Sequence, residues 1–337
     1  MTLRPSPAPA GRALGLAAAV ASAILALLLL AGWAAPSWAI YTATIALAKG
    51  LVVLGLVMLL RMGLISFGHG MFYCFGAYVS GLLASGAGLT DALALTLAAT
   101  LGTAALGLLL GLLLAGYRGV FFAMFNLALS MILYGALLKS VSLGGSDGVS
   151  VPAPSYFGLV PPDGMRSLAA YGFVATIACA AGFLLWLVSR SQLGLVLLGV
   201  KGNEIRLDYL GISARRLILV AYVLSAALAG MGGSLVAIVS GHVIPEMAYW
   251  TTSGEFVFIT VLSGPGSISG AFAGAGVFEA VRLATGQYLP NAWQLLLGGF
   301  LLLVILFLPD GISSLARRRT GTADASAPPA GRVQGEG

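Results

Sequence analysis

The chain has 337 residues, of which 59% are hydrophobic and only 8% charged, with a formal net charge of +6. Soluble domains average about 45–50% apolar and about 25% charged residues, so this composition excludes an ordinary soluble enzyme or binding module. Two cysteines, Cys74 and Cys179, sit inside apolar stretches as small core residues, and His69 and His242 are too few for a histidine-based metal site. The basic residues cluster at the ends of apolar blocks, which fits membrane orientation and not nucleic-acid binding.

Arg4 and Arg12 precede the first block, Ala13 to Trp33, whose 21 residues exceed the apolar region of a signal peptide and predict a retained first helix. The stretch "WAAPSWA" that follows keeps cleavage open as the other reading. Further apolar segments run over 38–60, 66–86, 91–116, 120–140, 169–188, 217–240, 255–263, 268–284 and 292–308. The prediction is an all-α, polytopic transmembrane helical bundle of about ten membrane segments. Two of them are interrupted by glycine and read as broken or re-entrant.

Orientation follows from the basic residues. With a cytoplasmic N-terminus (1–12), Arg61, Arg118, Arg190 and the 199–216 cluster all fall inside. So does the tail 316–337, with its "ARRR" start and disordered composition, provided 255–284 crosses twice at the break "SGPGSISG". Thirteen Lys and Arg then lie inside, Lys139, Arg166 and Arg282 lie outside, and Lys49 lies within a segment. This is the asymmetry expected of cytoplasmic loops. The membrane domain spans 13–315 and leaves no room for a soluble catalytic domain.

The stretch "GVKGNEIRLDYLGISARR" (199–216) breaks the apolar pattern, and 7 of the 28 charged residues lie between Arg190 and Arg216. Burying seven charges in hydrocarbon would cost on the order of 20 kcal/mol, so the loop 189–216 lies outside the membrane. Within it, Asn203 can cap a short helix with Ile205, Tyr209 and Ile212 along one face, and Gly211 suits its end. Such a helix either rests on the lipid surface or docks into a partner protein. The longest external connection, 142–168, has the Gly, Pro and Ser content of a loop.

The interrupted regions are Gly63 to Gly76, "GLISFGHGMFYCFG", and Ser263 to Gly276, "SGPGSISGAFAGAG". Irregular backbone at membrane depth must face protein or water, so paired breaks point to a solute pathway. Close helix packing, as at Gly107-x3-Gly111 and Gly270-x3-Gly274, uses glycine equally well. Polar residues inside apolar segments are functional candidates, here Ser66, His69, Asn126 and Glu255. The alternative for each is a bond to a neighbouring backbone group. Glu279 and Arg282, three apart, can neutralise one another, and Lys49 pairs or snorkels.

Several stretches together resemble the permease subunits of branched-chain amino-acid ABC importers, in particular the M-type subunit of the leucine/isoleucine/valine system. "GLISFGHGMFYCFGAYVSGLL" (Gly63 to Leu83) is similar to that family's Ser-Leu-Gly-His…Gly-Ala-Tyr motif. "YRGVFFAMFNLALS" followed by "SLGGSDGVSVP" is similar to its next signature. "KGNEIRLDYLGISARRLILVAYVLSAALAGMGGSL" (Lys201 to Leu235), "VLSGPGSISGAFAGA" and "LFLPDGI" complete the set, so the resemblance covers roughly 40–313 in order. The chain departs from the pattern at Leu64, where the family usually has Gln. It also departs at Met131, which replaces a carboxylate, and at Lys201-Gly202, which replaces Arg-Glu. These departures bear on the solute more than on the architecture, since relatives for urea, amides and other small organic solutes belong to the same family.

The resemblance implies a multi-pass subunit of the bacterial inner membrane with both termini cytoplasmic. Its implied partners are an H-type permease, two ATP-binding subunits, a periplasmic solute-binding protein and membrane lipid. The sequence contains no Gly-x4-Gly-Lys-Ser/Thr loop, so no cofactor is expected on this chain and ATP would be hydrolysed by the partner subunits. In that setting the 189–216 loop becomes the coupling element. Lys201, Asn203, Glu204, Arg206 and Asp208 are its polar candidates and Ile205, Tyr209 and Ile212 its apolar anchor. Two other classes remain open from the residues alone. One is an ion-gradient-driven secondary transporter with Glu255 or His69 as proton site. The other is an intramembrane enzyme built on Ser66 and His69, for which no orienting third group is evident.

Overall fold

The structure is a computed structural model that describes residues 10–202, 204–264 and 268–288, with isolated helical residues at 295, 298, 299, 302, 306 and 307. The predicted tail 316–337, the N-terminus up to residue 9, Asn203 and most of segment 292–308 lie outside the described residues. Among the described residues there are eleven α-helices: α1 Ala10–Ala34, α2 Ser37–Arg61, α3 His69–Gly86, α4 Ala92–Leu114, α5 Gly119–Lys139, α6 Arg166–Arg190, α7 Gln192–Gly202, α8 Glu204–Tyr209, α9 Ala214–Ser240, α10 Trp250–Ser263 and α11 Ile268–Tyr288. Six of them, α1, α2, α4, α5, α6 and α9, are long and apolar enough to cross a membrane. The fold is therefore an all-α polytopic membrane bundle.

The bundle is organised around α2 and α9. The most apolar window of α2 is 78% buried, whereas that of α1 is only 6% buried, so α2 is a central helix and α1 a peripheral one. α9 packs against α2, α3 and α4, and α1 rests on α6, where the Tyr171 hydroxyl donates to the Leu28 carbonyl at 3.0 Å. A helix in lipid gains little from hydrophobicity alone, so close packing needs small residues at the crossings. At the α3–α9 crossing a Cβ on Gly76 would fall on the Gly230 carbonyl. This explains a glycine at position 76, which lies inside the continuous helix α3.

The first interruption is the end of α2. The Gly63 N–H bonds the Leu60 carbonyl and the Leu64 N–H bonds the Leu59 carbonyl, both at 3.0 Å, with Gly63 at φ +79°. This is the glycine cap that satisfies the last carbonyls of a helix and turns the next apolar residue, here buried Leu64, back onto it. Residues 62–68 are non-helical and mostly buried before α3 begins at His69. At the second interruption α10 stops at Ser263 and α11 starts at Ile268, with 265–267 outside the described residues.

Two ends of the bundle can be distinguished. One carries Arg61, Arg118, Arg190, α7 and α8 and is the basic end. The opposite end carries a short antiparallel pair, β1 Val149–Ser150 and β2 His242–Val243, in the register Val149↔Val243. The 142–168 connection is thus pinned rather than loose, and Ser155 also bonds backbone on both sides of Asp91. Asp91 itself caps α4, accepting from Leu93 and Ala94 N–H at 3.0 and 3.1 Å.

Candidate functional site

From Gly241 to Tyr249 the chain is not α-helical, yet it runs deep into the bundle. Val243 packs beside Gly81 of α3, and Met247 and Ser253 lie beside Gly70 of the same helix, so the segment descends along α3 for about 17 Å. Its carbonyl at Ala248 accepts from Ser130 Oγ at 2.7 Å, and Ser130 is about 17 Å along α5 from Gly119 at the basic end. Half the thickness of a hydrocarbon core is about 15 Å, so this backbone reaches its middle. Sequence reasoning missed this re-entrant stretch, because its β2 residues and the Pro245–Ala248 turn read as an ordinary connection between two spans.

Irregular backbone at that depth must face protein or water. Here it forms one wall of an open cavity of about 1330 Å³ through Ile244, Glu246 and Met247, and the start of α10 adds Thr252 and Glu255. The other walls come from α2, through Tyr41, Ile45 and Lys49, and from α11, through Glu279 and Arg282.

The cavity floor is charged. Lys49 Nζ sits 2.5 Å from Glu279 Oε1 and 3.7 Å from Glu255 Oε2, and Arg282 Nη1 lies 3.6 Å from the same Glu279 oxygen. Lys49 is about 18 Å along α2 from Ser37, too deep to snorkel, and it pairs instead. The Glu279–Arg282 pairing expected from their spacing exists, but the closer partner of Glu279 is Lys49. The Lys49 and Glu279 side chains are 7% and 9% exposed, whereas Glu255 and Arg282 are 22% and 42% exposed and face the open volume.

The other polar candidates form a separate, closed network. His69, at the start of α3, bonds Ser66 Oγ through Nδ1 at 3.1 Å and Ser225 Oγ of α9 through Nε2 at 2.6 Å. Ser66 Oγ also accepts from the Gly68 N–H, and Ser253 Oγ accepts from the Gly70 N–H at 2.9 Å, satisfying orphan donors at the start of α3. Asn126 Nδ2 donates to the Phe122 carbonyl at 2.7 Å, and the Tyr222 hydroxyl donates to Asn126 Oδ1 at 2.5 Å. Tyr222 is flanked by the rings of Phe72 and Phe122. Ser66, His69 and Asn126 are fully buried, and of the four pathway candidates only Glu255 lines the cavity.

At the basic end the 189–216 connection is almost wholly helical. The sequence suggested one short helix from Asn203, but α7 precedes it, packing Leu197 and Val200 into the core while Leu195 and Leu198 stay exposed. α8 ends in a glycine cap of the kind seen after α2: the Gly211 N–H bonds the Asp208 carbonyl at 2.9 Å and the Ile212 N–H bonds the Leu207 carbonyl at 3.0 Å, with Gly211 at φ +77°. That geometry folds Ile212 inward beside buried Leu207, so Ile212 packs on the core. The exposed apolar face is Ile205, Tyr209 and Leu210, with Tyr209 88% exposed.

The polar candidates there divide similarly. Glu204 is held by Arg118 of the α4–α5 turn in a two-pronged pair at 2.6 and 3.0 Å, and Arg118 also donates to the Ala115 and Tyr117 carbonyls. Lys201, Arg206 and Asp208 are exposed, with the Lys201 stem lying over Gly63.

Comparison with known proteins places the whole arrangement. Residues 37–306 match the family described as the branched-chain amino acid transport system permease component. The chain belongs to this permease family. It is 30% identical over 297 residues to the high-affinity branched-chain amino acid transport system permease protein LivM of Escherichia coli K12, covering 79% of this chain and 68% of that one. The Salmonella typhimurium LivM protein matches equally. The permease protein BraD of Pseudomonas aeruginosa is 32% identical over 142 residues, 42% of this chain and 45% of its own length. No solved structure matches.

Within this permease chain, the functional-looking residues that sequence reasoning missed are Lys49 as a cavity residue, Arg118 as the partner of Glu204, and Ser225 and Ser253 as partners of the α3 start. Lys49 carried a signal, since a lone cation deep in an apolar segment needs a counter-charge. Ser225 and Ser253 carried none, because hydroxyls in membrane helices usually bond their own backbone.

Proposed function

We propose that this chain is the transmembrane permease subunit of an ATP-driven importer for branched-chain amino acids or related small organic solutes. Family membership across 37–306 is the observation that carries the reading. In this reading the protein lies in the bacterial inner membrane with about ten segments and cytoplasmic termini, 1–12 and 316–337. Its two glycine-rich interruptions belong to the pathway region. It binds no cofactor. It pairs with an H-type permease, two ATP-binding subunits and a periplasmic solute-binding protein. The basic end faces the cytoplasm, consistent with the charge asymmetry.

The exposed Ile205, Tyr209 and Leu210 suit docking on an ATPase surface, with exposed Lys201, Arg206 and Asp208 as polar contacts and Asn203, outside the described residues, as a candidate from the sequence alone. Arg118–Glu204 and the Arg215 bond to the Leu112 carbonyl at 3.1 Å tie that surface to the ends of α4 and α9. A shift of α8 imposed by nucleotide state therefore has a rigid route into helices that pack around α2 and α3. The ATPase drives the cycle only through contacts that differ between its nucleotide states. Glu255 lines the pathway, while Ser66, His69 and Asn126 hold the start of α3 beside it. The test is uptake in proteoliposomes: the full complex transports only with ATP, and uptake by this chain alone, driven by an ion gradient, would overturn the reading.

A further inference from the structure

The 142–168 connection carries an apolar hairpin that stands clear of the bundle. The Tyr156 N–H bonds the Leu159 carbonyl at 2.8 Å and the Leu159 N–H bonds the Tyr156 carbonyl at 3.0 Å, closing a two-residue turn. Its central residues, Phe157 and Gly158, have φ of +52° and +79°, as a primed turn requires. Asn, Asp and Gly fill such positions easily, whereas a bulky side chain there is strained. Phe157 is the one non-glycine residue at positive φ among the described residues, and it is 74% exposed. Leu159 and Val160 beside it are 76% and 64% exposed. Strain kept at an exposed aromatic residue points to a use for that side chain outside the fold.

The level of this hairpin in the membrane follows from the helices it touches. The Ser155 N–H bonds the Thr90 carbonyl at 2.8 Å, beside the Asp91 cap of α4, so the hairpin base is level with the start of a spanning helix. The Tyr156 ring packs edge-to-face on Phe173 of α6, with centroids 5.3 Å apart. Arg166 and Arg190 bracket α6 about 36 Å apart, which places each about 3 Å outside a centred hydrocarbon core of about 30 Å. Phe173, about 10 Å along α6 from Arg166, is then about 7 Å inside that core. The hairpin therefore hangs where hydrocarbon meets headgroups. From Gly148 to Pro162 the chain contains no charged residue. A protein-docking surface uses a polar rim and complementary charge, neither of which this tip offers, whereas lipid asks for neither.

We propose that this hairpin is an interfacial anchor that dips Phe157, Leu159 and Val160 into one leaflet of the bilayer. The exposed peptide groups of Phe157 and Gly158 need water, so the backbone stays in the headgroup layer and only the side chains reach the acyl chains. The anchor acts on the cavity wall. Upstream of Tyr156 the chain forms β1, where Val149 pairs with Val243 and the Val151 N–H bonds the Gly241 carbonyl at 2.9 Å. β2 leads directly into Ile244, Glu246 and Met247 of that wall. Lipid thus braces the re-entrant segment from outside the cavity. The inference needs only the membrane fold and stands whichever solute the chain conducts.

Two measurements test it on the full-length protein in vesicles of phosphatidylethanolamine and phosphatidylglycerol. With Cys74→Ala and Cys179→Ala as background, an NBD fluorophore is attached at Phe157→Cys, Leu159→Cys or, as a control in the same connection, exposed Ser146→Cys. At 157 and 159 the dye should lose most of its emission to lipids brominated near the top of the acyl chain, and less to lipids brominated near its end. At 146 aqueous iodide should quench it instead. Equal iodide quenching at all three positions, stronger quenching from the chain ends, or shielding that appears only when a solute-binding protein is added overturns the anchor. The second measurement needs no label. Phe157→Asn with Leu159→Asn relieves the strained turn, so as a purely structural change it should slow amide exchange in 149–151 and 241–243. Loss of the lipid contact should do the reverse and speed exchange there at least about tenfold, through local opening of the ladder. Unchanged or slower exchange overturns the brace.

Discussion

Two polar regions adjoin α3, one around His69 at its start and one in the cavity that Tyr73 lines a turn further on, and they differ in kind. Around His69 every group is neutral-capable, every partner is another side chain or a backbone atom, and the network is sealed by Phe72, Phe122 and Tyr222. Around Lys49 the groups are charged and the outer members open onto a cavity walled by irregular backbone. Polarity inside a membrane segment flags both regions equally. Only the second has solvent access and charges able to exchange partners, which is what a moving solute requires. The first is better understood as the means by which α3, starting deep in the bundle, satisfies its exposed N–H groups.

That contrast can be broken experimentally, beginning with the largest effect. Lys49→Met leaves Glu279 buried without its closest partner and should destabilise the purified complex by about 3–5 kcal/mol, read as a large fall in melting temperature and membrane yield. Adding Glu279→Gln should recover much of the loss, and failure to recover would mean the pair is not the source of the cost. At the basic end, Glu204→Lys with Asp208→Lys should abolish uptake while insertion in the membrane is retained. Normal uptake with normal co-purification of the ATPase would remove α8 from the coupling path.

In the closed network the effects should be smaller and of another kind. Ser225→Ala removes one bond from His69 and should cost about 1–3 kcal/mol of stability, with uptake per folded complex preserved. A selective loss of uptake at unchanged stability would move His69 into the pathway. Ser66→Ala should likewise retain function, which disposes of a Ser66–His69 nucleophile. The smallest expected stability change is that of Arg118→Gln, below about 1 kcal/mol because the Glu204 pair is a third exposed. Its signature should be fewer solutes moved per ATP hydrolysed, and unchanged coupling would show that the tie between α8 and the α4–α5 turn transmits nothing.

How much of this was legible beforehand depends on the range of the interaction. The spans 38–60 and 217–240 correspond to α2 Ser37–Arg61 and α9 Ala214–Ser240 within a few residues, since a run of apolar side chains partitions into lipid whatever surrounds it. Gly211 as a helix end was legible for a similar reason, because a left-handed residue is a local requirement. Ile212 was misjudged within the same motif. Spacing put it on the exposed face with Ile205 and Tyr209, but the glycine cap reverses the chain and packs it, half-buried, against the core. The region 63–76 read as one glycine-interrupted segment, whereas its first part is the capped end of α2 with a non-helical stretch to residue 68, and the rest, from His69, lies in α3.

The sequence by itself determined what water and lipid decide one residue at a time: an all-helical membrane protein, a charged surface held outside the hydrocarbon, and the glycines at which helices stop. The family followed from the order of its motifs. Tertiary structure alone decided which polar groups meet. Lys49 and Glu279 are 230 residues apart and His69 and Ser225 are 156 apart, so no local period records either pairing. The descent of residues 243–253 along α3 is likewise invisible in one dimension, because a buried turn and a surface loop share the same composition. Burying unpaired charge and unbonded backbone is so unfavourable that the assembled bundle, not any single segment, fixes where these groups settle.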